Sequence, residues 1–150
     1  MNPSDQGIVR KAELLDLWEV KKLADHHRRE LGFVRRAALN RSILRGEVFL
    51  ATLGATPCGF AEYHHRRDDQ TTLYHIAVEE GFRKLGIGAR LLAELQREAI
   101  ELGKKYLVLV CPSDLPANKF YNRLGFVRVG SQAGQKRTLN EWRLRLADSP

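Results

Sequence analysis

A chain of 150 residues with 43% hydrophobic and 29% charged side chains has the length of about one domain and an ordinary globular composition, which excludes a disordered or fibrous protein. Its longest apolar run, Leu107–Cys111, falls far short of the roughly 18 residues that a membrane span needs, and residues 1–30 carry charges where a secretory signal would have an apolar core. One domain over residues 1–150, located in the cytoplasm and away from membranes, is the expectation.

Lysine and arginine total 25 against 18 acidic residues, a net charge of +7, so an anionic partner is favoured: nucleic acid, an anionic lipid surface or a polyphosphorylated cofactor. The basic residues are scattered in pairs with no basic tail, which weighs against nucleic acid. Cys58 and Cys111 are too few and too far apart to staple a secreted fold and read as reduced structural thiols. His26, His27, His64, His65 and His75 have no Cys or carboxylate partner at a recognised metal-ligand spacing, and no metal is expected.

In chain order, Gly7–Arg10 reads as a short strand, and Leu14, Leu15 and Trp18 recur at helical spacing. A second helix is expected over Leu31–Leu44, carrying Phe33, Ala37, Ala38 and Leu44 and packing on the first. Glu47–Leu53 and Cys58–His65 flank turn residues and predict a hairpin, and Thr71–Val78 is a third strand. His64, His65, Arg66, Arg67, Asp68 and Asp69 mark a charged connection, by default a solvated hairpin turn and alternatively a lining for an acceptor. From Gly86 to Leu102 the period changes to a helix, with Gly88, Leu91, Leu92, Leu95, Ala99 and Leu102 on one face and Gly103 as its stop. Tyr106–Cys111 is a near-continuous apolar run, the pattern of a central strand buried on both faces. A short helix over Pro116–Leu124 and strands at Phe126–Val129 and Thr138–Leu146 complete the chain. Trp18, Trp142, Phe33 and Phe49 occupy apolar positions and are expected in the core.

The stretch Val78–Leu92 joins a strand end, a glycine-containing turn and an amphipathic helix. A helix N-terminus offers unpaired N–H groups and a partial positive charge, Gly86 and Gly88 permit close backbone approach, and Arg83 and Lys84 add charge: a phosphate site. The P-loop pattern GxxxxGK[ST] is absent, as is a third glycine at the dinucleotide spacing.

Arg83-x-x-Gly86-x-Gly88 after an extended strand, followed by Ala117-Asn118-Lys119-Phe120-Tyr121-Asn122-Arg123-Leu124-Gly125-Phe126, resembles the two signatures of the GNAT superfamily of acyl-CoA-dependent N-acyltransferases. The resemblance is strongest over Val48–Val129. It implies an α/β fold with a mixed, mostly antiparallel sheet of six or seven strands and about four helices. It also implies direct transfer of acetyl from acetyl-CoA to a primary amine of a small molecule or protein. By the same resemblance, backbone amides across Arg83, Lys84, Leu85, Gly86, Ile87, Gly88 and Ala89 would hold the coenzyme pyrophosphate, and Ile76, Ala77 and Val78 would run beside its pantetheine arm. Tyr121 would protonate the departing thiolate. Many members carry Asn seven residues before the Tyr where this chain has Asp114, and Asn118 is the candidate to take over that coenzyme contact.

The general base is left to His75, on the strand that enters the cofactor site, or Glu62, on the preceding strand. Cys111 as an acyl relay is the minor alternative to direct transfer. Two other functions share the motifs: a non-catalytic acyl-CoA-binding module, and an RNA-associated acetyltransferase acting on aminoacyl-tRNA. Exposed edge strands leave room for a homodimer.

Overall fold

The structure, a computed structural model, describes residues 7–148. Seven strands form one mixed sheet in the order β1-β2-β3-β4-β5-β7-β6. They are β1 (Gly7–Lys11), β2 (Val48–Leu53), β3 (Thr56–His65), β4 (Gln70–Val78), β5 (Tyr106–Pro112), β6 (Val127–Ala133) and β7 (Thr138–Arg145). The helices are α1 (Leu17–His26), α2 (Arg28–Leu31), α3 (Arg36–Leu44), α4 (Ile87–Glu101) and α5 (Ala117–Arg123). The order of strands and helices matches the expected one, with α2 as an additional single turn that ends at the left-handed Gly32 (φ 75°). Residues group into two compact units, one reaching to His64 and including His75–Leu95, the other made of His65–Tyr74 and the chain from Gln96 onward.

In the first unit β1, β2 and β3 pair antiparallel, with a bulge between Ala51 and Thr52. Val48, Leu50 and Phe60 from the strands meet Val20, Leu23 and Ala24 of α1 and Leu39 and Ile43 of α3 in a single core. The spacing i, i+3, i+4 of Val20, Leu23 and Ala24 is what turns α1 inward. α1 does pack on α3, but not through the residues that the apolar pattern nominated. Leu14, Leu15, Trp18, Phe33 and Leu44 are all exposed, and α3 begins only at Arg36. Trp18 and Phe33 are therefore corrections to the expected core, whereas Phe49 and Trp142 are buried as expected. The physical reason is visible around each ring: the Arg36 guanidinium lies 5.1 Å from the Trp18 ring, and Lys21 and Arg28 lie 4.6 and 5.1 Å from Phe33. Cations rather than apolar neighbours lie against these aromatics, which stay largely exposed.

In the second unit β7 lies between β5 and β6, antiparallel to both, and β5 runs parallel to the first residues of β4 over Gln70–Thr72. β5 is interior to the sheet as expected, yet its burial alternates. Leu107, Leu109 and Cys111 are buried while Val110 is 49% exposed, so the expectation of burial on both faces fails. Tyr121 of α5 packs against Phe126 and Trp142 at 5.6 and 6.5 Å between ring centroids. Along α4, Leu91, Leu92, Leu95 and Ala99 form the expected buried stripe, whereas Leu102 lies past the end of the helix and is exposed. Gly103 (φ 76°) stops the helix.

Gly59 fixes how closely β3 and β4 approach in the first unit, because a Cβ there would sit 2.9 Å from the Ala77 carbonyl oxygen and 3.3 Å from Val78 Cγ2. Gly59→Ala is expected to lower stability by about 1–3 kcal/mol through overpacking against backbone that has little room to yield. A urea titration compared with wild type checks this, and an unchanged midpoint would refute it.

Candidate functional site

β4 ends at Val78, and the chain then makes one 3₁₀ turn, Glu80–Phe82, before α4 starts at Ile87. Between them Lys84 and Gly86 both adopt left-handed backbone, with φ of 71° and 77°. A left-handed lysine is uncommon and a left-handed glycine is not, so this turn holds one conformation that few sequences tolerate twice. Gly86 accepts the first α4 hydrogen bond from Arg90 N (3.0 Å), which leaves the amides of Ile87, Gly88 and Ala89 without an intrahelical acceptor. Arg83 Nε donates to Val78 O at 3.1 Å, holding the guanidinium beside the strand end, and Lys84, Leu85 and Gly86 are exposed. Ile76 and Val78 are partly exposed and Ala77 is buried. The arrangement is a concentration of backbone donors and cations suited to an anion.

The two rival bases of the sequence reading prove to be partners. His75 Nδ1 lies 2.7 Å from Glu62 Oε1, and Ser42 Oγ donates to the other carboxylate oxygen, Oε2, at 2.7 Å. An ionised carboxylate only accepts, so the hydrogen bond puts a proton on Nδ1 and leaves Nε2 as the ring nitrogen not committed to Glu62. Glu62 is 3% exposed. Burial pushes its carboxyl up, but the hydrogen bonds from His75 and Ser42 and the charge of His75 together outweigh this and hold it below its ordinary range. The His75 side chain is 26% exposed, enough for solvent or a ligand to reach it. Glu62 is thus placed to orient His75, and His75 to meet a proton. Ser42 was not foreseen; the signal for it was a hydroxyl at the inward position between Leu39 and Ile43 of α3.

In the second unit Tyr121 is buried as a ring, and burial, with Cys111 adding to it, raises its phenol well above the ordinary value. The hydroxyl has no hydrogen bond to the described residues. No buried side-chain N or O atom among them lacks a partner, so the Tyr121 hydroxyl reaches solvent. Burial pushes the Cys111 thiol up to about 11, against a lowering by Arg137 and with a further rise from Asp114. It stays a protonated thiol near neutral pH, unsuited to nucleophilic relay. Asn118 donates from Nδ2 to Pro112 O and Leu115 O, both at 2.8 Å. Its Oδ1 accepts from Asn140 Nδ2 (3.1 Å) and Trp142 Nε1 (2.9 Å). All of its amide valences are spent on bracing the entry to α5, and Asp114 is clamped by Arg137 at 2.9–3.1 Å.

The remaining histidines have structural partners. His26 and His27 both reach Glu79, at 3.2 and 3.1 Å, tying the end of α1 to the start of the β4–α4 turn across a separation of more than fifty residues. His64 bonds Glu47 at 2.9 Å, while His65 bonds Thr71 (2.7 Å) and Glu98 (2.8 Å). The charged connection after β3 is held as a turn, with Lys104 Nζ on Asp68 O and Lys105 N on Asp69 O, each at 2.8 Å. Among the described residues no group of three or more His, Cys, Asp or Glu is arranged to hold a metal ion. No helix among them is long and apolar enough to cross a membrane.

The sequence profile of the acetyltransferase (GNAT) family matches residues 12–126, from the end of β1 through both motifs. The chain belongs to the GNAT acetyltransferase family. The fold agrees. Ard1 from Thermoplasma volcanium superposes with a TM-score of 0.83 at 19% identity, over 95% of this chain and 99% of that one. The ribosomal-protein-S18-alanine N-acetyltransferase of Escherichia coli gives 0.81 at 20%, over 97% of each. The yncA protein of Salmonella typhimurium, solved with its cofactor acetyl-CoA, gives 0.77 at 18%, over 95% of each. No sequence among curated proteins matches this one.

The paired Glu62 gives this GNAT protein a pH-dependent stability of definite sign. A carboxyl whose folded pKa lies below its unfolded value contributes stability that is full above the unfolded pKa and is lost as pH falls through the folded one. Relative to Glu62→Gln, wild type should therefore gain stability from strongly acidic pH toward pH 6, by about 1.5–3 kcal/mol, the range of a hydrogen bond to a charged group. Urea unfolding of both proteins across that range measures it; parallel curves would show that Glu62 is not held ionised.

Proposed function

We propose that this protein transfers an acetyl group from acetyl-CoA to a primary amine directly, within a ternary complex. The observation that carries the reading is the Ser42–Glu62–His75 chain, which runs from α3 through β3 to His75 on the strand that leads into the β4–α4 turn. The residues of the turn fit the coenzyme's phosphates. Three α4 amides lack acceptors, Arg83 and Lys84 supply positive charge, and the space where a Cβ of Gly86 would stand is open, with nothing within 4 Å.

Acetyl-CoA supplies the activated acyl thioester, and the chain's own groups supply the proton transfers. His75 Nε2 accepts the proton that the amine loses as its nitrogen bonds the acyl carbon, with Glu62 stabilising the imidazolium at Nδ1. A β4 amide near Ile76–Val78 stabilises the negative charge that develops on the acyl oxygen. Tyr121 donates its phenolic proton to the thiolate as the carbon–sulfur bond breaks, then regains one from solvent. A phenol raised by burial stays protonated until that moment. Direct transfer is supported by the unreactive state of Cys111. In this reading Asn118 positions α5 instead of touching coenzyme.

Tyr121→Phe and His75→Ala should each lower kcat by about 10²- to 10⁴-fold while coenzyme A still binds, measured by label transfer from acetyl-labelled acetyl-CoA to pooled amines and by calorimetry. Two fully active variants would refute the assigned roles, and a wild type that binds coenzyme A but transfers nothing to any amine pool would make the protein a binding module. Gly86→Ala should weaken coenzyme A binding by about tenfold, because the left-handed turn then costs about 1–2 kcal/mol. An unchanged affinity in the same titration would exclude the turn as the phosphate site.

A further inference from the structure

Between His27 and Gly46 the chain carries six arginines, no lysine and a single carboxylate, Glu30, and Glu30 is engaged with His27 at 3.1 Å. These arginines lie on α2, on α3 and in the turns beside them. Arg28, Arg35, Arg36, Arg41 and Arg45 are all exposed, and none of them forms an ion pair among the described residues. Two large aromatic side chains accompany them: Trp18 is 65% exposed and Phe33 is 62% exposed. Guanidinium groups lie against both rings, Arg36 at Trp18 and Arg28 at Phe33, each 5.1 Å from the ring centre.

Concentrated like charge and exposed indole surface are each unfavourable in water, and one occupant relieves both. Phosphate oxygens accept guanidinium N–H bonds in bidentate pairs, and a nucleobase stacks on an aromatic or guanidinium plane. An acidic peptide would satisfy the arginines and leave the rings uncovered. The preference for arginine over lysine and the interleaving of rings with cations both point to nucleic acid with unpaired bases. We propose that the outer face formed by α1, α2 and α3 docks single-stranded RNA. The inner side of α3 supplies Ser42 to Glu62, so the strand would lie on the helix that braces the candidate base. The docking claim itself does not depend on acetyl transfer.

The test is fluorescence anisotropy with a short, labelled, mixed-sequence single-stranded RNA on the full chain. If about four phosphates are contacted, affinity should fall about 50-fold between about 50 and 200 mM salt, from a slope of about −0.7 per phosphate for single strands. Arg35→Gln, Arg41→Gln and Arg45→Gln together should flatten that slope and remove most of the binding, with coenzyme A affinity and thermal melting unchanged. If the triple variant melts early, Arg41→Gln alone should still reduce the slope. Trp18→Ala should weaken binding about fivefold or more, and RNA should quench Trp18 emission in the wild type. No RNA binding at low salt, equal binding by a soluble arginine variant, or a polyglutamate peptide binding as tightly as RNA would each overturn the proposal.

Discussion

A carboxylate buried as deeply as Glu62 is tolerated only when its charge is answered, because leaving one member of a buried pair alone costs several kcal/mol. Ser42 from α3 and His75 from β4 answer it from two directions. That requirement links three elements distant in the chain. α3 must seat with its hydroxyl inward, β3 must hold Glu62 in the register that sets it opposite Val48, and β4 must present His75 with one ring nitrogen committed and the other available. What is a folding constraint for the carboxylate is an orientation device for the imidazole.

The strand that carries His75 also ends at the glycine-containing turn before α4, and the same stretch is pinned from a second side. Glu79, immediately after β4, holds both His26 and His27, and Gly59 lets β3 approach Ala77 without a side chain between them. The turn can then keep two left-handed residues in succession around Leu85, since its entry and exit are fixed by the strand and by the buried stripe of α4. A rigid scaffold under a strained turn is how backbone donors stay aimed at a ligand rather than at each other. In the second unit the rings around Tyr121 serve a comparable purpose. They bury the ring and raise the phenol further above its ordinary value while the hydroxyl itself remains at solvent.

Where sequence reading failed, it failed for a nameable reason. Trp18 and Phe33 were placed in the core because they are large and apolar, but neighbouring Arg36, Lys21 and Arg28 set cations against them, a relation invisible to apolar periodicity. β5 looked like a strand buried on both faces, although only every second residue of the run is buried; uniform apolarity does not reveal that one face is left open. The hydrogen bonds of Asn118 Oδ1 with Asn140 and Trp142 were likewise invisible in the sequence, since both partners lie more than twenty residues away.

The sequence by itself determined the strand and helix order, the turn between β4 and α4, the positions of the two family motifs and the residue types able to move protons. These are local properties: turn glycines, helical period and motif spacing act over at most some fifteen residues. Tertiary structure alone decided that His75 and Glu62 are one hydrogen-bonded pair and that Ser42 completes it. Each depends on contacts between residues far apart in the chain, and such contacts are set by how the helices seat on the sheet.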